Sequence, residues 1–268
     1  MKTISICNQK GGAGKTSVTT NLASCLSYGL QDENESQRIL VVDIDPQGHS
    51  TFLLYKDPNQ IDSDTTIAKL FEKNEYTSKN LIKTTRFHNM DILPANLTLF
   101  RAQANLHTLN KKTGRLAQYL EIFEKYYDYV LIDTPPELGL FLTNALYASD
   151  FVLIPTDLEI LSVRGINDLF DTIQYIKKDK QEYGSNLKLL GILPNKLNKR
   201  IKTHKELMEE LEEVFKDKFL KKQQIGTNAK LARATAAGRT IIEFDKSARS
   251  YKQYLDLARW VIKEIENA

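Results

Sequence analysis

Cysteine is nearly absent, with two in 268 residues, Cys7 and Cys25. Two thiols build neither a disulfide framework nor a four-ligand zinc site, and they read as buried thiols, one on a strand and one on a helix. Seven prolines and twelve glycines are too few for a low-complexity or collagen-like chain. No apolar run approaches the ~20 residues that cross a bilayer. The longest, around Ile39–Val42, Tyr129–Ile132 and Phe151–Pro155, have the length of buried strands. The amino terminus lacks the apolar core and cleavage site of a secretory signal and runs straight into a strand pattern. The expectation is a soluble, cytoplasmic chain.

A large excess of one charge is missing too, since 37 Lys and Arg face 34 Asp and Glu. The charge is unevenly placed, however. Residues 195–268 hold 17 Lys and Arg against 11 Asp and Glu, while residues 1–194 are slightly acidic. A basic final third can meet phosphates or can be a solvated helical surface, and composition alone favours the second.

What is present is ordinary globular material, 41% hydrophobic and 26% charged, enough for a sizeable core. Short β-rich runs alternate with amphipathic stretches. The strands expected are Thr3–Asn8, Arg38–Asp43, Met90–Leu93, Tyr129–Ile132, Phe151–Ile154 and Leu187–Leu193. The helices expected are Lys15–Tyr28, Arg115–Tyr126, Gly139–Ala148, Gly165–Lys178, His204–Phe215 and Ser250–Glu266. Alternation of this kind predicts a doubly wound α/β fold, a mainly parallel sheet with helices on both faces, over one domain spanning residues 1–268. Nearly continuous apolar strands fit burial on both faces.

The sharpest motif is Asn8-Gln9-Lys10-Gly11-Gly12-Ala13-Gly14-Lys15-Thr16-Ser17, between a strand and a helix. Glycines let successive N–H groups converge on one anion, and the helix start adds unpaired donors and its positive dipole end. Lys15 then reaches the terminal phosphates and the Thr16 hydroxyl meets Mg²⁺. The common pattern G-x-x-x-x-G-K-[ST] is not met strictly, because Gln9 stands at its first glycine and Lys10 follows.

This variant loop, K-G-G-x-G-K-[ST], resembles that of the ParA/MinD group of deviant-Walker ATPases. The resemblance implies that Lys10 crosses a dimer interface to the nucleotide of the other subunit, sandwiching two ATP molecules. A solvated loop lysine is the plainer alternative.

Two further motifs end apolar strands. Val41-Val42-Asp43-Ile44-Asp45-Pro46-Gln47-Gly48 places two carboxylates on one face of a strand. It resembles the family's D-x-D-P-Q-G-N stretch, with His49 in place of Asn, which implies that Asp45 positions the attacking water. Asp-Pro-Gln-Gly is also a good turn sequence. Tyr129-Val130-Leu131-Ile132-Asp133-Thr134-Pro135-Pro136 has the form of a Walker B strand, with Asp133 near the Mg²⁺ shell. Metal contacts are thus expected from Thr16, Asp45 and Asp133, and phosphate contacts from Lys10 to Ser17, Gly11, Gly12, Ala13 and Gly14 included. In open α/β sheets, ligands bind at the carboxyl ends of strands, where all three motifs lie.

The likeness continues through Asp133–Thr156 and through Ile225-Gly226-Thr227-Asn228-Ala229-Lys230-Leu231, which is similar to I-P-R-N-V-R-L of ParA proteins. Gly226 and Thr227 depart from it, as do Arg233 and Arg164, which stand where glutamates are usual. The resemblance places Asn195 beside the adenine and Gly226 among the nucleotide-binding residues, although Asn195 reads equally as a strand-end turn residue.

Three branches of the family differ from one another. Cys7 and Cys25 are misplaced for the cluster of a nitrogenase iron protein. A MinD-like membrane ATPase would end in a basic amphipathic helix, whereas Glu264-Ile265-Glu266-Asn267-Ala268 is acidic and its helix is expected to dock on the domain. Only seven residues precede Asn8, so operator-reading by an N-terminal helix-turn-helix domain is not expected. The compact ParA branch implies an ATP- and Mg²⁺-dependent homodimer that binds nonspecific double-stranded DNA, is nucleoid-associated in its ATP state, and is released by a ParB-type cargo adaptor. DNA contacts are expected at Lys199, Arg200, Lys202, Lys230 and Arg233. The alternatives are a MinD-like membrane switch or a small-molecule enzyme on the same fold.

Overall fold

A computed structural model describes the chain apart from residues 29–35, 58–60, 73–80, 107–111, 183 and 199 and the side chains of residues 63 and 160–164. The described strands are β1 (Lys2–Ile6), β2 (Ile39–Asp43), β3 (Lys83–Thr84), β4 (Met90–Leu93), β5 (Tyr129–Asp133), β6 (Phe151–Asp157) and β7 (Lys188–Asn195). They form one sheet in the order β3-β4-β2-β5-β1-β6-β7, parallel throughout except that β3 runs against β4. The helices are α1 (Lys15–Tyr28), α2 (His49–Leu54), α3 (Ala68–Glu72), α4 (Thr98–Leu106), α5 (Arg115–Glu121), α6 (Leu140–Ala148), α7 (Ile160–Glu182), α8 (Lys202–Phe215), α9 (Ala229–Ala236), α10 (Ile241–Phe244) and α11 (Arg249–Glu266). The doubly wound, mainly parallel architecture is the one expected.

Alternate strand residues explain the continuous apolar runs. Ile39, Val41, Tyr129, Leu131, Phe151 and Leu153 face a core shared with α1 and α11, while Leu40, Val42, Val130 and Ile132 face α3 to α6. Val152 and Ile154 face α7 and α8. Each buried Val, Leu or Ile stabilises by about 1.5–3 kcal/mol relative to exposure, so the parallel order holds only with both faces covered.

Helix α1 is buried despite its hydroxyls, because Thr19, Thr20 and Ser24 donate to the carbonyls of Lys15, Thr16 and Thr20. Helix α11 buries Tyr254, Leu257, Ala258, Val261 and Ile265 and packs against α1. Cys7 and Cys25 are buried and free, and burial pushes both thiols up to about 12.

Local departures from expectation have local causes. The two-residue β3 and the short helices α2, α3 and α10 carry too few turns to declare a period, while α4 and α9 are not among the helices expected from the sequence. Helix α5 stops at Glu121 and continues to Tyr126 as tighter turns, in which Phe123 N donates to Leu120 O. Helix α7 begins at Ile160, so Gly165 lies inside it.

Candidate nucleotide site

Residues 8–14 turn at the carboxyl end of β1 and deliver Lys15 to the first position of α1. Gly12 and Gly14 have φ of 81° and 95°, left-handed values that disfavour a side chain. At Gly14 space forbids one as well, since a Cβ there would overlap Asn195 Nδ2. Asn8 fastens the loop to β6: its amide donates to Pro155 O at 2.8 Å, and its Oδ1 accepts from Lys10 N at 2.9 Å. Lys15 is 7% exposed and donates to Lys10 O at 3.3 Å. Burial lowers its pKa, while the charges of Asp133 and Asp45 oppose that shift.

Three carboxylates stand beside this loop, Asp43 and Asp133 at the ends of two neighbouring strands and Asp45 just beyond the first. Asp43 and Asp133 are register partners on β2 and β5. The Asp43 carboxylate is fully used: Oδ2 accepts from Thr51 N and Thr51 Oγ1, each at 2.8 Å, and Oδ1 accepts from Asp45 N at 3.1 Å. Asp43 therefore ends an apolar strand in order to hold the start of α2. Burial, then the charge of Asp133, raises its pKa well above the usual range against the Thr51 bonds.

Asp133 Oδ2 accepts from Ser50 Oγ at 2.7 Å, whereas its Oδ1 is buried with no hydrogen-bond partner among the described residues. Burial pushes Asp133 up to about 6; the Ser50 and Thr16 hydroxyls and Lys15 oppose this, and Asp45 adds to it. Asp45 Oδ1 accepts from Gln47 N at 2.9 Å, closing the turn into α2.

A cavity of about 1000 Å³ opens over these groups, lined by Gly11, Lys15, Thr16, Asp45, Pro135 and Asn195, with Phe52, Phe100 and Leu231 on its apolar side. Its polar side offers backbone donors, a buried ammonium, the Thr16 hydroxyl and the Asp45 carboxylate, with the orphaned Asp133 oxygen buried behind them. That set suits a polyphosphate with a hard cation.

The profile of a family described as an AAA domain matches residues 1–189. The sporulation initiation inhibitor protein Soj of Bacillus subtilis is 36% identical over 263 residues, 97% of this chain and 98% of Soj. The chromosome partitioning protein ParA of Myxococcus xanthus is 32% identical over 262 residues, 97% of this chain and 87% of that protein. The chain belongs to the ParA-type partition ATPases. Among solved structures, a Borrelia burgdorferi B31 protein bound to AMPPNP matches with a TM-score of 0.77 at 27% identity, over 98% of this chain and 99% of that one.

Within this family member, the residues expected around the nucleotide are brought together, with two qualifications of detail. Asn195 is 3% exposed; its Nδ2 donates to Ala13 O at 2.9 Å and its Oδ1 accepts from Lys196 N at 2.9 Å. Both ends of the amide are thus engaged with the protein. The Ser17 hydroxyl pairs with Tyr254 Oη at 3.2 Å, so this side chain ties α1 to α11. Gly226 lines the cavity and bridges to Leu197.

The expected DNA contacts are less uniform. Arg200 is exposed. Lys202 is exposed and pairs with Glu206 at 3.3 Å. Lys230 is held by Asp245 at 2.6 Å, and the Arg233 guanidinium lies 5.7 Å from the Phe244 ring centroid. Lys199 lies outside the described residues, as does the side chain of Arg164.

The sequence reading missed four neighbours of the site. Asp157 and Glu159 pair with Lys10 at 2.8 and 2.5 Å. Burial works against the Lys10 charge, but the hydrogen bonds and charges of these two acids outweigh it and raise its pKa. Ser50 is the third. The fourth is Lys196, whose φ of 55° is left-handed and whose ammonium lies 4.0 Å from a Cβ placed on Gly12. A signal existed for Asp157, an acid closing an apolar strand as Asp43 and Asp133 do.

Proposed function

We propose that this chain is an ATP-driven partition switch: a nucleotide-sandwich dimer that holds DNA without sequence preference and lets go when a cargo-bound partner of the ParB kind stimulates hydrolysis. The observation that carries the reading is the convergence on one cavity of the phosphate loop, the buried Lys15 ammonium, the Thr16 hydroxyl and the Asp45 carboxylate. Backbone N–H groups of Gly11 to Ser17 cradle the phosphates and Lys15 neutralises the terminal ones. Asp45, at the cavity edge, orients the attacking water. Asn195 and Gly226 flank the base.

The residues fit Mg²⁺, which takes one or two carboxylates and fills its shell with phosphate oxygens and water. Thr16 and Asp133 would hold the ion, with Asp45 near its shell. When bound, it neutralises phosphate charge as the terminal bond breaks.

Lys10 leaves Asp157 and Glu159 to reach the nucleotide of the second protomer. Arg200, Lys202, Lys230, Arg233 and Lys199 meet DNA phosphates, contacts that position without reading sequence. In the cell the ATP form is expected on the nucleoid. A membrane-bound switch needs a helix with an apolar face to spare, and that of α11 is buried against α1.

Filter binding with unrelated duplexes, run with ATP, with ADP and without nucleotide, tests the reading. Equal, ATP-dependent retention of all duplexes is expected. Asp45→Ala should retain DNA with ATP while hydrolysis stalls. Pelleting with anionic vesicles and no DNA retention at low salt would move the assignment to a membrane switch.

A further inference from the structure

The loop between β3 and β4 sends one side chain into the junction of three segments remote in sequence. Arg86 Nη2 donates to Leu53 O at 2.6 Å, in the last turn of α2, and to Gly238 O at 2.8 Å, just beyond α9. It also donates to Glu243 Oε2 at 3.0 Å in α10, while Arg86 Nε donates to Glu243 Oε1. Glu243 is itself the acid of a capping box, with Oε2 accepting from Thr240 N at 2.8 Å and Thr240 Oγ1 at 2.9 Å. Both side chains are partly exposed, at 28% and 22%.

A guanidinium is the side chain that can serve these acceptors together, because its donors fork in one plane. Carbonyls at helix carboxyl ends carry partial negative charge, so a cation between two of them is favoured. Phe52 of α2 also lies close to this corner: a Cβ placed on Gly238 would be 3.5 Å from its Cε1.

The segments so joined have different tasks. Helix α2 follows the Asp45 turn, where Gly48 N donates to Asp45 O at 2.9 Å, and it is held to Asp43 through Thr51. A ligand that reorders Asp45 therefore moves the start of α2. Helix α9 carries Lys230 and Arg233.

We propose that Arg86 is a positioning residue that couples the nucleotide state, sensed at the Asp45 turn, to the placement of α9. The consequence for DNA release rests on the proposed function; the coupling itself rests on the Arg86 geometry. Coupling of this kind requires an element whose position both sites bias, and the α2–Arg86–α9 junction is that element.

Hydrogen exchange of the full chain, with and without Mg²⁺–ATP, provides the test. In wild type, nucleotide should change exchange in residues 49–54 and also in 229–240. Arg86→Met should keep the first response and lose the second. Its DNA affinity ratio between ATP and ADP should fall about tenfold, within the usual range of coupling between sites.

Arg86→Lys serves where Arg86→Met does not fold, since an ammonium keeps the charge but cannot span both carbonyls and Glu243; it should lose the second response too. Glu243→Gln, which leaves the carbonyl contacts in place, should retain most of it. An unchanged nucleotide response at 229–240 in Arg86→Met or Arg86→Lys, or none in wild type, overturns the inference. Absence of ATP-dependent DNA binding by wild type, with the exchange pattern as expected, overturns the DNA reading and leaves the coupling standing.

Discussion

Lys10 Nζ stands 2.8 Å from Asp157 Oδ2, so the lysine proposed to act across a dimer is held within its own subunit. Glu159 adds a second carboxylate at 2.5 Å. Reaching a neighbour's nucleotide means breaking both pairs, and that cost opposes dimerisation until ATP supplies a better anion.

Lys10→Ala should bind nucleotide as a monomer but fail to dimerise with ATP, as read by sedimentation. Asp157→Asn combined with Glu159→Gln should lower the protein concentration needed for dimerisation two- to fivefold, since partly exposed pairs contribute about 0.2–1 kcal/mol. An unchanged midpoint would mean that the pairs do not hold Lys10 back.

Asp133 makes a pH prediction. Its pKa rises from 3.8 to about 6 in the folded chain. Between those values the folded state keeps a proton that the unfolded state has released, so this group's contribution to stability falls as pH rises from about 4 to 6 and is flat above. The melting temperature of Asp133→Asn minus that of wild type should widen through this window, by an equivalent of up to about 3 kcal/mol, and then level off. A constant difference would refute the shifted pKa. Mg²⁺-dependent nucleotide affinity should weaken below about pH 6 in wild type, because a protonated carboxyl is a poor ligand.

For DNA, the ion pairs decide which probe is clean. Lys230 is tied to Asp245 at 2.6 Å, so Lys230→Glu sets two carboxylates against each other and disturbs the α9–α10 junction as well as the DNA face. Arg200 is exposed, and Arg200→Glu should weaken binding to every duplex alike while leaving ATP hydrolysis intact. If each protomer neutralises one phosphate through Arg200, the slope of log affinity against log salt should flatten by about 2 in the dimer. An unaltered slope would remove Arg200 from the interface.

Gly14→Ala should be costly for two separable reasons. The φ of 95° is unfavourable for any side chain, and the new methyl overlaps the Asn195 amide. Strain of this kind costs about 1–3 kcal/mol. Adding Asn195→Ala should recover the steric part in a melting experiment and not the backbone part. A Gly14→Ala protein as stable as wild type would contradict the close packing of loop and β7.

How much of this was legible beforehand depended on the length over which the information is written. The β1 and β5 strands and their following motifs were readable because six or seven consecutive residues carry each signal. Helix α11 was readable as a long amphipathic stretch, and α1 as the helix that follows the phosphate loop. Helix α2 was not: it has six residues, begins after the left-handed Gly48 and resembles a turn continued. Asp43 ends an apolar strand because Thr51 of α2 binds its carboxylate, and that partner belongs to an element too short to read in the sequence.

By itself the sequence determined the sheet class, the phosphate loop and the acids at strand ends, because alternation, glycine placement and an acid after an apolar run are local chemistry. Only the tertiary structure decided which of those groups meet. Lys10 finds Asp157 because β1 lies beside β6, and Asn195 reaches Ala13, 182 residues away, because β7 is next in the order. Arg86 joins α2, α9 and α10 only after the sheet has brought their ends to one corner. Strand order and register are global properties of burying both faces of the sheet, and no short window of residues encodes them.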